Sequence, residues 1–263
     1  MDERAIGVYD SGIGGTTVFK DLEKLLPNEN YIYFGDTKNL PYGTKTKNEL
    51  LEISDSIFGY FAEKNVKAVV MACNTTSSTV YEEMHRKYDF EIYPIIQIAT
   101  KCIAPRYTGK IGVLATIATI ASNKYKTELL KHNKNLEVIQ QACPDWVKVV
   151  ESKDYDSPQS INILKSALTP ILEKGCKNII LGCTHYPYLT ETLKRIAGEE
   201  DINFINPAKD FTEFIAKDLA AKQLISAKKL YEPQFCVSAN PENFVKAAKA
   251  FYKLKDLPKV VNL

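Results

Sequence analysis

Along this chain, short runs of β-branched and aromatic residues alternate with longer stretches of helical period. Segments 5–9, 31–34, 68–72, 91–97, 110–114, 136–141, 178–181, 202–205 and 234–238 are nearly continuous in apolar character. That pattern suits strands covered on both faces rather than the alternation of a half-exposed sheet. Between them, segments 17–26, 47–64, 78–87, 124–133, 157–174, 211–230 and 241–253 predict helices. Strand then helix, repeated, predicts an α/β fold with mainly parallel sheets flanked by helices.

The pattern also repeats internally. Lys67-Ala68-Val69-Val70-Met71-Ala72-Cys73-Asn74-Thr75 is matched by Lys177-Asn178-Ile179-Ile180-Leu181-Gly182-Cys183-Thr184-His185, at an offset of 110. Ile6-Gly7-Val8 returns as Ile111-Gly112-Val113, offset 105, and Ile95-Ile96-Gln97-Ile98-Ala99 parallels Phe204-Ile205-Asn206-Pro207-Ala208, offset 109. Three matches in one order indicate an ancient duplication. Two similar domains related by a pseudo-two-fold are expected. Residues 99–208 form the second. Residues 1–98 form the first, joined by 209–263, because the tail lies outside the second copy and its return brings the termini together.

Ligands of parallel sheets sit beyond the carboxyl ends of the strands. Cys73 and Cys183 each fall directly after a strand and before a helix start. Residues 74–78 supply cap residues for the first of these helices; Thr184 caps the second, and Pro187 suits its first turn. A thiol at a helix N-terminus has its thiolate stabilised by the dipole and by free N–H groups. Two such thiols facing one another solve a specific problem. Inverting a carbon centre needs a base on one face and an acid on the other, and each positioned group contributes about 10²–10⁴-fold. The plainer reading of any cysteine is as a small buried hydrophobe. That reading is given to Cys102, Cys143, Cys176 and Cys236. A redox disulfide joining Cys73 and Cys183 is a third reading, out of place in a reducing compartment.

Other candidates surround the pair. Asp10-Ser11-Gly12-Ile13-Gly14-Gly15 follows a strand and opens a helix, but residue 17 is Thr, so the dinucleotide fingerprint fails. Its glycines would let the backbone approach a small anion at the helix N-terminus. Asp10 reads either as a turn or cap residue or as an acid–base helper. Segment 36–43 is rich in turn residues and is either a site loop or an ordinary one. His185 could poise Cys183, bind a carboxylate, or serve only as a cap. His85 and His132 lie on polar helical stretches and read as solvated, and Trp146 reads as packing.

Composition narrows the function classes. Thirty-four Lys and Arg against 32 Asp and Glu leave a net charge of +2, so there is no electrostatic case for nucleic acid or an anionic membrane. No apolar run approaches the roughly 18 residues of a spanning helix. Met1-Asp2-Glu3-Arg4 leads into Ile6 without the apolar core of a signal peptide, and a cytoplasmic protein is expected. Six cysteines without a C-x-x-C pair and three unclustered histidines give no disulfide framework and no structural zinc. With neither a nucleotide fingerprint nor a metal cluster, no cofactor is expected.

At Asp10-Ser11-Gly12-Ile13-Gly14-Gly15, Tyr33 to Gly43, Ala72-Cys73-Asn74-Thr75-Thr76-Ser77 and Gly182-Cys183-Thr184-His185-Tyr186-Pro187-Tyr188-Leu189, the chain resembles the glutamate racemases. These belong to the cofactor-independent aspartate/glutamate racemase superfamily. Thr116-Ile117-Ala118-Thr119 and the segment from Cys143 and Pro144 through Glu151 also resemble family segments. The resemblance implies two α/β domains with the active site in the cleft between them, and Cys73 and Cys183 as the acid/base pair, with Cys73 acting on D-glutamate and Cys183 on L-glutamate. It implies Asp10, Glu151 and His185 as auxiliary catalytic groups. It implies Asp10, Ser11, Tyr42, Gly43, Asn74, Thr75, Thr184 and His185 as glutamate ligands, with D-glutamate passing to peptidoglycan synthesis. A homodimer is the expected assembly, and glutamate is the expected partner. Two positions depart from the family: Asn206 stands where Asp is common, and Lys148 where Pro is commoner. The chain lacks the N-terminal extension of members activated by a cell-wall nucleotide precursor, so that activation is not expected. The competing readings are an aspartate racemase with the same chemistry and an amino-acid-binding protein without catalysis. The second has no need of paired thiols.

Overall fold

The computed structural model of the chain describes residues 1–198, 201–249 and 251–263. The first half runs β1 (Ile6–Asp10), α1 (Thr16–Leu25), β2 (Tyr31–Gly35), α2 (Lys47–Glu63), β3 (Ala68–Met71), α3 (Asn74–Thr79), α4 (Tyr81–Lys87) and β4 (Glu91–Pro94). Then α5 (Ile95–Ile103) leads to β5 (Gly109–Ala115), α6 (Ile117–Ala121), α7 (Lys124–His132), β6 (Leu136–Ala142), α8 (Trp146–Ser152) and α9 (Pro158–Glu173). β7 (Asn178–Gly182), α10 (Thr190–Ala197), β8 (Asn203–Ile205) and α11 (Pro207–Ala221) follow, and β9 (Gln234–Val237), α12 (Pro241–Ala248) and β10 (Lys259–Val260) close the chain.

Two parallel sheets result, one ordered β10-β9-β2-β1-β3-β4 and the other β6-β5-β7-β8. Four strands of the larger sheet and all four of the smaller follow one plan. Their registers agree with the repeat. Ile6 lies opposite Ala68, and Ile111 lies opposite Asn178, which are the offsets of 105 and 110. The third offset differs from expectation. Ala68 faces Glu91 and Asn178 faces Asn203, so β4 maps onto β8 with an offset of 112 (203 minus 91) rather than 109.

The cause is that 91–97 is not one strand. It ends at Pro94, and Ile95 begins α5. That helix packs between α7 and α11, and Ile95, Ile96, Ile98, Ala99, Thr100 and Ile103 are all buried. The polar stripe of α5, Gln97 and the exposed Lys101 one turn on, begins only at the last residue of the expected strand, so the apolar run before it looks like a buried strand. Elsewhere the expected helix 78–87 begins at Asn74 and breaks at Val80 into α3 and α4. The expected helix 211–230 starts earlier and stops at Ala221. Asn206 caps it, accepting from the Ala208 amide at 3.0 Å, with Pro207 in the first turn. Asn caps as well as Asp does, which gives the departure at position 206 a structural role. The expected helix 241–253 ends at Ala248, and residue 250 lies outside the described residues.

Alternate strand residues bury on opposite faces of the larger sheet. Ile6, Val8, Tyr31, Tyr33, Ala68 and Val70 pack with Val18, Phe19 and Leu22 of α1. Tyr9, Ile32, Phe34, Val69 and Met71 pack with Leu50, Ile57, Phe58 and Phe61 of α2. Both faces are covered, so the strands carry no polar alternation. The first of these clusters continues through α5 and α11 into the smaller sheet, an apolar seam that sets the two sheets against each other. Among the described residues no helix is long and apolar enough to cross a membrane.

One buried ion pair lies at the strand-entry end of β3. Lys67 Nζ sits 2.5 Å from Glu29 Oε2, with side chains 0% and 1% exposed. The ammonium also donates to the Asp2 and Leu224 carbonyls and to Ser226 Oγ, tying the N-terminus to the segment after α11. Lys67→Met leaves the Glu29 charge buried without its cation. The expected loss is about 3–5 kcal/mol of unfolding free energy in a urea titration. A loss below 1 kcal/mol would refute it.

Candidate active site

In each sheet the strand order reverses between the first and third strands of the repeat, which is where α/β sheets open a crevice. The carboxyl ends of β1 and β3, and of β5 and β7, contribute to one cavity of about 350 Å³. Ser11, Tyr42, Gly43, Cys73, Asn74 and Thr75 line it from one side, and Glu151, Cys183, Thr184 and His185 from the other. Asp10 lies behind this wall, fully buried at the end of β1. The candidates Asp10, Ser11, Tyr42, Gly43, Cys73, Asn74, Thr75, Glu151, Cys183, Thr184 and His185 are therefore brought together.

Cys73 is the residue before α3 and is 5% exposed; Cys183 directly follows β7 and is 8% exposed. Both are free thiols. Burial, and then the Asp10 carboxylate, push the Cys73 thiol up to about 12. In the resting cleft Cys73 therefore carries its proton. On the other side, the His185 ring lies with Nδ1 3.8 Å from Cys183 Sγ and Nε2 3.6 Å from Glu151 Oε1. Burial pulls the His185 pKa down, but contact with Cys183 and Glu151 and the Asp10 charge outweigh it and hold the imidazole up at about 10. At neutral pH the ring is a cation beside the second thiol.

Asp10 accepts from the Gly12 amide at 3.0 Å and from Thr184 Oγ1 at 3.2 Å. Burial raises its pKa, while the His185 charge and these donors lower it. Thr184 therefore does not cap the following turn as expected. Its hydroxyl is drawn to a buried carboxylate that needs donors. The turn after it is a 3₁₀ turn over Tyr186–Leu189, entered from His185 without a side-chain cap, and α3 likewise has none. The glycines after β1 are also approached closely by the protein's own side chains. A Cβ on Gly14 would stand 2.3 Å from Thr184 Oγ1 and 2.6 Å from His185 Nδ1; one on Gly15 would stand 2.4 Å from the Asp10 Cβ. The loop is glycine-rich because the protein's own site residues press against it.

Asn74 accepts from the Tyr125 hydroxyl through Oδ1 at 2.7 Å, and its Nδ2 has no partner. His185 Nε2 is likewise buried without a hydrogen bond. Thr75 Oγ1 lies 3.0 Å from Thr116 Oγ1, which joins the two halves across the cleft. Segment 36–43 makes two short turns. Asp36 stays buried there and accepts from Tyr42, Ser238 and Asn39, so it holds Tyr42 in the wall. Lys148, at the family departure, lines the mouth and pairs with Asp145 at 2.6 Å. Cys143 also lines the cavity, although the sequence reads as packing there. The sequence does not single out Thr116 as a site residue. The 105-residue offset that carries Ser11 onto position 116 is the signal that finds it. Trp146 is buried against Tyr186, His85 is exposed, and His132 is half-buried beside Glu128. Among the described residues no group of three His, Cys, Asp or Glu side chains is placed to hold a metal ion.

The family model of Asp/Glu/Hydantoin racemase matches residues 7–209. The chain belongs to this racemase family. Its relatives include the glutamate racemase of Thermoanaerobacter pseudethanolicus, 38% identical over 251 residues, 95% of this chain and 93% of the relative. That of Trichodesmium erythraeum is 35% identical over 261 residues, 99% and 96% of the two chains. Among solved structures, the glutamate racemase of Francisella tularensis in complex with D-glutamate has a TM-score of 0.90 and 31% identity, covering 100% of this chain and 98% of its own. The chain is thus an amino-acid racemase, an isomerase of two parallel-sheet α/β units.

Proposed function

We propose that this racemase interconverts L- and D-glutamate by proton transfer at Cα between Cys73 and Cys183, and that the D-glutamate enters peptidoglycan synthesis. The observation that carries the reading is the pair of free thiols at equivalent strand ends of a duplicated sheet, lining one cavity. One thiolate takes the Cα proton and becomes a thiol. The opposite thiol delivers its own proton to the other face and becomes the thiolate, so one turnover leaves the pair exchanged and the reverse reaction begins from there. His185 supplies a positive charge beside Cys183, Asp10 holds Thr184 and His185 in place, and Glu151 steadies the imidazolium from the rim. Ser11, Tyr42, Gly43, Asn74, Thr75, Thr184 and His185 surround the substrate. The buried unpaired donor of Asn74 suits one of its carboxylates.

Within this reading, residues 1–98 with 209–263 form one domain and 99–208 the other, supported by the pairing of β9 with β2. The enzyme acts as a cytoplasmic homodimer without cofactor. Incubation of each glutamate enantiomer in D₂O tests the proposal. Racemisation with Cα deuteration is expected for both, at a rate unchanged by a chelator or by dialysis. Turnover of aspartate but not glutamate, binding without Cα exchange, or activity restored only by an added metal would refute it.

A further inference from the structure

Two of the buried polar atoms without a hydrogen bond belong to residues that line the same cleft, and one of them, Asn74 Nδ2, owes its orientation to a residue of the other half of the molecule. Tyr125, on α7, is fully buried. Its hydroxyl donates to Asn74 Oδ1 at 2.7 Å, and Asn74 is the residue directly after Cys73. Its ring lies against Gly182, the residue directly before Cys183, where a Cβ would stand 2.9 Å from Tyr125 Cε2. One side chain thus touches the immediate neighbour of each thiol.

An Asn amide has an acceptor end and a donor end. Here the acceptor end is occupied by Tyr125, so the donor end is the one left for a further partner, on a residue that lines the cleft. A buried donor with no partner carries a desolvation cost that an incoming acceptor relieves, and a carboxylate oxygen is the strongest acceptor a substrate offers. The reverse orientation would present Oδ1 to an anion and repel it. We infer that Tyr125 is a positioning residue: its hydroxyl locks the Asn74 amide with Nδ2 toward the substrate carboxylate, across the boundary between the two halves. The inference rests on the reading that the substrate is an amino acid dicarboxylate bound in this cleft.

Tyr125→Phe removes only the hydroxyl and keeps the ring against Gly182. The test compares the unaltered enzyme, Tyr125→Phe, Asn74→Ala and the double variant in steady-state racemisation of glutamate, with thermal unfolding alongside. Tyr125→Phe is expected to raise KM about tenfold, the worth of one hydrogen bond to a charged group, with kcat changed far less. In the Asn74→Ala background the same change is expected to add nothing to KM, because the amide it orients is gone. A purely structural role would lower the unfolding temperature and leave KM alone, or its KM effect would add to that of Asn74→Ala; either result overturns the inference. So does an unchanged KM in Asn74→Ala itself. Absence of racemisation by the unaltered enzyme would overturn the glutamate reading, and the inference with it.

Discussion

Replacing either Cys73 or Cys183 with Ala is expected to abolish racemisation, with a loss of at least about 10²-fold, the usual worth of one positioned acid or base. The loss is symmetrical because every turnover needs both groups, whichever enantiomer enters. Serine variants separate the two roles. A glutamate analogue with a leaving group at Cβ needs only one base: the Cα proton departs to the thiolate and the leaving group takes its electron pair. Cys73→Ser keeps Cys183, the residue assigned to the L enantiomer, and is expected to eliminate from the L-analogue and spare the D-analogue. Cys183→Ser is expected to show the mirror preference. Chiral chromatography of the remaining analogue and the release of the leaving group read the result. Equal loss on both hands in each variant would argue against two one-sided bases, and full racemisation by either variant would end the two-thiol mechanism. Neither thiol is needed to hold the fold by an S–S bond, since both are free. Unfolding temperatures close to that of the unaltered chain keep the comparison clean.

Much of this site was legible along the chain because it is built twice. Cys73 and Cys183 stand at the same place in two copies of one strand, and the registers of Ile6 with Ala68 and Ile111 with Asn178 follow the spacing of the repeat. The α/β class was legible for a related reason. Strands such as Ala68–Met71 are covered on both faces, so they read as unbroken apolar runs. The same property hid α5. Ile95 and Ile96 are as buried as any strand residue, and the polar positions that mark the helical period, Gln97 and Lys101, come only at the end of the apolar run and beyond it. What the sequence could not show are contacts between residues far apart in it. Thr184 and Asp10 are 174 positions apart, and their hydrogen bond changes Thr184 from an expected cap into a donor to a buried carboxylate. Tyr125 lies 51 positions from Asn74, on a helix whose pattern marks it only as core. The glycines after β1 are a further case. Their type indicates that something comes close, but not that the close neighbours are Asp10, Thr184 and His185.

That crowding makes Gly14→Ala the second large effect. A methyl there would lie 2.3 Å from Thr184 Oγ1 and 2.6 Å from His185 Nδ1, well inside contact distance, so something must shift. The backbone of Gly14 precedes α1 in one half of the molecule, while Thr184 and His185 follow Cys183 in the other. Neither partner is the free end of a long side chain. Thr184 Oγ1 is bonded to Asp10 and His185 Nδ1 lies against Cys183. The added methyl therefore pushes the second thiol's supports away from the first half, and widens the separation that a proton must be matched to. Displacing a catalytic group by about 1 Å costs about 10²-fold, and that is the loss expected in kcat/KM. The cost in stability is smaller, about 1–3 kcal/mol for one overpacked methyl. Gly59→Ala is the control. It lies inside α2, where the nearest atom to a new Cβ is the Tyr88 hydroxyl at 3.8 Å. There Ala is expected to stabilise the helix by about 0.5–1 kcal/mol and leave turnover unchanged. Racemisation rates and urea midpoints for the two variants decide the matter. If Gly14→Ala lost activity only in proportion to its unfolded fraction, the close approach would be a packing detail and not a determinant of how the two half-sites meet.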